Sequence, residues 1–123
     1  MDTTLKVDII FTNEDVEETM TLITDAAGSS VTKVRQAGFT GIEDVVLVML
    51  GVSALSDLVQ KLARRWRSGV VVDLRGSRVV TERSSDIPRG DVLIIRSGDD
   101  RVTLHEPAAP QIGAILSALN EGP

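Results

Sequence analysis

The chain opens with a two-residue rhythm. LKVDIIFT sets Leu5, Val7, Ile9 and Phe11 against Lys6, Asp8, Ile10 and Thr12, the period of a strand with one face buried. Thr12 or Asn13 then caps a helix whose first turn carries Glu14 and Asp15, acids that suit the positive end of a helix dipole. Its apolar stripe is Val16, Met20, Ile23 and Ala27. Gly28 and two serines end the helix, and VTKVRQAG reads as a short second strand with a turn.

The stretch Ile42 to Gly69, IEDVVLVMLGVSALSDLVQKLARRWRSG, starts apolar and ends basic. Val45, Val48, Val52, Leu55, Val59, Leu62 and Trp66 recur at spacings of three and four, which predicts a helix of roughly six or seven turns. Glu43 and Asp44 stand at its expected start, and Lys61, Arg64, Arg65 and Arg67 at its end, both matching the dipole. Val46, Leu47, Met49 and Leu50 fall off the main stripe. Either the sheet and the other helices cover them, or they meet a second chain, because apolar patches left in water mark interfaces.

Downstream, GVVVDLR, SRVVTE, DVLIIRS and RVTLHE are β-branched runs separated by turn residues. RGSR and SGDDR suit hairpin turns, and SSDIPRG reads as a polar surface loop. A last helix begins near Pro110 and buries Ile112, Ile115, Leu116 and Leu119. The predicted order is β-α-β-α-β-β-β-β-α. It defines an α+β domain over residues 1–123, with a mixed or antiparallel sheet of five to six strands against one long central helix and two shorter ones.

Composition narrows the chemistry. The chain is 42% apolar but holds only Phe11, Phe39 and Trp66 as aromatics, so its core is aliphatic. With no cysteine and His105 alone, disulfides, thiolate nucleophiles and multi-histidine metal sites are all missing, and no metal or cofactor is expected. The N-terminus MDTTLKVDII lacks the basic segment and long apolar run of a secretory signal, which makes the cytoplasm the expected location. The net charge is -5, with ten acids and three bases up to residue 60 and eight acids and ten bases after it. An acidic whole argues against nucleic acid as a partner.

Each candidate site has a plainer counterpart. VVLVMLGVSAL runs only from Val45 to Leu55, against the 18 to 20 residues a membrane span needs. Arg64, Arg65 and Arg67 form a possible anion-binding cluster, or serve the helix dipole. SGDDR lacks the spacing of a calcium loop. His105 has Asp91 and Glu106 as possible acid–base partners, yet no nucleophile accompanies them. AAGSS and RQAGFTG lack the spacing of phosphate-binding loops. No catalytic set emerges, so a non-enzyme is expected.

Two segments suggest a family. VLIIRSGDDRVTLHEPAAPQIGAILSAL, Val92 to Leu119, resembles the closing hairpin and helix of the effector-associated constant component modules of bacterial conflict systems. LARRW followed by GVVVDL, and LKVDIIFT followed by an acidic helix start, resemble other parts of the same modules. SRVVTERSSDIPRG departs from their pattern as an inserted strand and loop. The resemblance implies a non-catalytic adaptor linking effector enzymes to sensing or signalling proteins, with no catalytic residues to carry over. The expected function is therefore a protein-interaction module that docks a partner or a second copy through Val46, Leu47, Met49 and Leu50. The alternative is a small ligand- or nucleotide-binding domain using Arg64, Arg65 and Arg67 with Arg75 and Arg78.

Overall fold

The first strand keeps its predicted alternation: Val7, Ile9 and Phe11 are buried, while Lys6, Asp8 and Ile10 are more exposed. It is β1 (Thr4–Thr12) in a computed structural model that describes residues 4–12, 16–27, 32–34, 43–97 and 100–120. There follow α1 (Val16–Ala27), β2 (Thr32–Val34), β3 (Glu43–Gly51), α2 (Val52–Arg65), β4 (Gly69–Asp73), β5 (Val79–Ser84), β6 (Val92–Ser97), β7 (Asp100–Leu104) and α3 (Ala109–Asn120). The α+β class, the mixed sheet and the three helices with the longest in the middle agree with the sequence pattern.

One element differs. Residues 43–51 are a strand, and the central helix begins only at Val52, with Gly51 as its N-cap. Among the described residues the sheet accordingly has seven strands, in the order β2-β3-β1-β5-β4-β6-β7. An apolar run such as VVLVML fits a helical stripe and a strand equally well by spacing, so β propensity and pairing decide. Here β3 pairs antiparallel with all of β1, from Thr4 opposite Gly51 to Thr12 opposite Glu43. A helix over the same residues would leave β1 without that neighbour.

The sheet is mixed: β1 with β5 and β4 with β6 are parallel, and the other four neighbouring pairs are antiparallel. All three helices lie on one face and contribute to one core. Leu55, Leu58, Val59 and Leu62 of α2 sit at its centre, with Ile23 from α1 and Ile112 and Leu116 from α3. Across the sheet they meet Val7, Ile9, Val46, Val48, Val70, Val72, Val92 and Ile94. Trp66, which closes the predicted stripe, is buried and donates its indole N–H to the hydroxyl of Thr19 at 2.9 Å. That bond joins the end of α2 to α1 across 47 residues of sequence.

The loop SSDIPRG is more than a surface connection. Gly90 N–H donates to the Ala63 carbonyl at 2.9 Å, and the Arg89 guanidinium donates twice to the Arg64 carbonyl at 3.0 and 2.7 Å. These bonds satisfy carbonyls that the last turn of a helix leaves without partners. Gly69 is needed beneath this loop, since a Cβ there would lie 2.6 Å from Ile87 Cβ and 2.7 Å from the Pro88 carbonyl. On α3, the Gln111 side chain accepts from the Ala108 N–H at 2.8 Å, half of a capping box, and Pro110 lies in the first turn as its fixed φ favours. Side chains of Val16, Ala27 and Leu119, expected in the core, lie outside the described residues, as do the SGDDR turn residues Gly98 and Asp99.

Candidate functional site

Strand geometry divides the four residues expected to dock a partner. Successive side chains in a strand point to opposite faces, so Val46 and Leu50 enter the core at 0% and 2% exposure. Leu47 and Met49 lie on the other face, and Met49 is 39% exposed. The expectation of one helical patch is therefore corrected: half of it is core, and half belongs to a larger surface that the helices do not cover.

That surface follows from the register, because directly paired residues share a face. Leu47 pairs with Asp8, Asp8 with Val80, Val80 with Asp73, Asp73 with Ile95, and Ile95 with Arg101. A second row runs Val45, Ile10, Glu82, Val71, Leu93 and Thr103 through the same five pairings. Met49 beside Lys6 begins a third. Eight apolar residues from five strands thus share this face: Met49 is exposed, Ile95 is buried at 7%, and the other six are half-buried. None of them belongs to the helix-covered core cluster, and no described helix packs on them.

Its charges are paired locally. Arg75 grips Asp73 through both carboxylate oxygens, at 3.0 and 2.8 Å, and Arg78 lies 3.6 Å from Asp8. The hydrogen bonds from Arg75, helped by the more distant charge of Arg101, hold the Asp73 carboxyl below its usual range against the opposing effect of burial. These arginines were candidates for binding a free anion. Each already has a carboxylate.

The basic end of α2 does not converge either. Arg64 lines a cleft with Gln60, Gly90, Glu106 and Pro107, while Arg65 lines a different concavity with Glu17, Glu18 and Thr21. Arg67 follows the helix in the exposed bend after Trp66. Both concavities contain carboxylates beside the arginine, which offsets the attraction for an anion.

His105 does meet both acids named for it. Its Nδ1 lies 2.8 Å from Asp91 Oδ1, and its Nε2 lies 3.8 Å from Glu106 Oε2. Asp91 is buried and also accepts from the Glu106 N–H at 3.2 Å, while the His105 side chain is 82% exposed. Glu106 takes a left-handed φ of 43°, and Gly90 beside it a φ of 93°. The carboxylate of Asp91 thereby ties the turn after β7 to the start of β6. Among the described residues, no group of three histidine, cysteine or acidic side chains is placed to hold a metal.

Sequence reasoning missed Ile10, Val71, Val80, Leu93 and Ile95 as members of the open face, and it assigned Val45 to the buried stripe although its pairing with Ile10 puts it on this face. Their signal is visible in hindsight: VDII, GVVVDL and VLIIRS are apolar at both parities, which a sheet covered on one side does not require. No family model matches the chain, and neither a curated protein nor a solved structure does. No helix among the described residues is long and apolar enough to cross a membrane.

Proposed function

We propose that the chain is a non-catalytic protein-interaction module, an adaptor that docks a protein on the open face of its sheet. One observation carries the reading: seven apolar residues that keep part of their surface in water share a face that none of the three described helices covers. Contiguous apolar surface of this kind marks interaction sites. The resemblance of Val92 to Leu119 to effector-associated constant components supplies a setting, a bacterial conflict or signalling system in the cytoplasm. The competing anion-binding reading has less support, since Arg64 and Arg65 line separate concavities and Arg75 and Arg78 face carboxylates.

The test is photo-crosslinking in cells with a benzophenone amino acid at Leu93, on the open face, or at Asp57, exposed on α2. The module reading expects a discrete protein adduct at Leu93 and none at Asp57. Absence of any protein adduct at Leu93 refutes it.

A further inference from the structure

Resting on that docking reading, we infer that the occupant of the open face is a second copy of this chain, the two sheets packing face to face as a sandwich.

The face selects its partner by shape, charge and size. It is a six-strand surface, with the right-handed twist that sheets adopt and apolar side chains spread from β3 to β6. Sheets pack on sheets about 10 Å apart at about 30°, an angle set by their own twist, so an identical twist is the natural match. The chain's described aromatics, Phe11 and Trp66, are buried on the helix side, so no described ring lies on this face to stack a base.

Charge points the same way. The whole chain carries -5, and a second acidic copy is repelled in general. On the open face, however, the acids Asp8, Asp73 and Glu82 stand among Lys6, Arg75, Arg78 and Arg101, and two of the acids are already bridged to arginine. Among its described side chains the face is near neutrality, so a copy approaching here meets no excess of its own sign. The same neutrality leaves no net field to draw in a strongly charged protein or a lipid surface.

Area sets the strength. Six strands at about 4.8 Å spacing, each about 20 Å long, present about 500 to 600 Å² per copy. Two copies then bury about 1,100 Å², just above the roughly 1,000 Å² that a specific interface requires and below the standard size. Such an interface, with exposed Glu82 near its middle, gives a weak dimer with a Kd of about micromolar order.

Sedimentation velocity on the purified chain, from about 1 to 200 µM, tests the inference. The expected result is a reversible shift from 13.2 kDa towards twice that mass. The double variant Val71→Thr, Val80→Thr keeps β-branched strand formers, so it preserves the fold while placing hydroxyls in the packed layer. It raises the dimer Kd roughly a hundredfold or more. A chain that stays monomeric at 200 µM overturns the second-copy inference, as does a dimer whose Kd the variant leaves unchanged. Neither result touches the docking reading, which fails separately if Leu93 forms no protein adduct. An adduct at Leu93 with a different protein and never with a second copy overturns the second-copy inference and keeps the module.

Discussion

Replacing Thr19 with Val isolates the bond that ties α1 to the end of α2. Thr19 and Trp66 are 0% and 1% exposed, and the indole N–H donates to the threonine hydroxyl at 2.9 Å. Valine matches threonine in volume and helix propensity, so no cavity opens and the change is chiefly the loss of the acceptor. The indole N–H then remains buried without a partner, which costs about 1 to 3 kcal/mol. For a chain of 123 residues that corresponds to a fall in Tm of roughly 4 to 12 °C. Trp66 is the only tryptophan, so urea unfolding followed by its fluorescence reads the change directly, with the m-value unchanged. In the Trp66→Phe background, followed by circular dichroism, the same Thr19→Val change costs less because the donor has gone. A Thr19→Val protein within about 0.3 kcal/mol of the parent would refute the assignment of this bond as a core staple.

Neighbouring residues of β3 should respond oppositely. Val46→Ala removes fully buried methyls and lowers unfolding free energy by about 1 to 3 kcal/mol, whereas Leu47→Ala at low protein concentration costs less than about 1 kcal/mol; equal losses in urea titrations would contradict the strand. Gly69→Ala forces its Cβ against Ile87 and the Pro88 carbonyl, and calorimetry should show a loss of about 2 kcal/mol or more; an unchanged Tm would contradict that close approach. Thr81 is fully buried and its hydroxyl has no partner, so Thr81→Val should raise stability by about 1 kcal/mol. A lower urea midpoint for that variant would show that the hydroxyl is satisfied after all.

Where the pattern had one interpretation, it led to the right element. Val7, Ile9 and Phe11 alternate with polar neighbours and lie in the core, and Leu55, Val59, Leu62 and Trp66 form the helical stripe as spaced. The uncertain part was VVLVML, whose six apolar residues have no polar phase to separate a period of two from one of 3.6. Gly51 was the available clue, since glycine weakens a helix interior and serves at a cap. The docking face was half legible for the same reason. Leu47 and Met49 stood out as surplus apolar residues, but their companions on β1, β4, β5 and β6 join them only through pairing register, which no local pattern encodes. The cap formed by Arg89 and Gly90 on α2 was equally hidden, because it depends on a loop returning across 25 residues.

Met49 offers the most direct test that the open face is a docking surface. It is 39% exposed on that face, whereas Met20 lies on α1, on the helix side of the sheet. Oxidative footprinting compares the ratio of Met49 to Met20 sulfoxide in intact cells with the ratio in the dilute purified chain. A docked face predicts that the ratio falls several-fold in cells, while equal ratios would contradict the proposal that a protein covers this sheet.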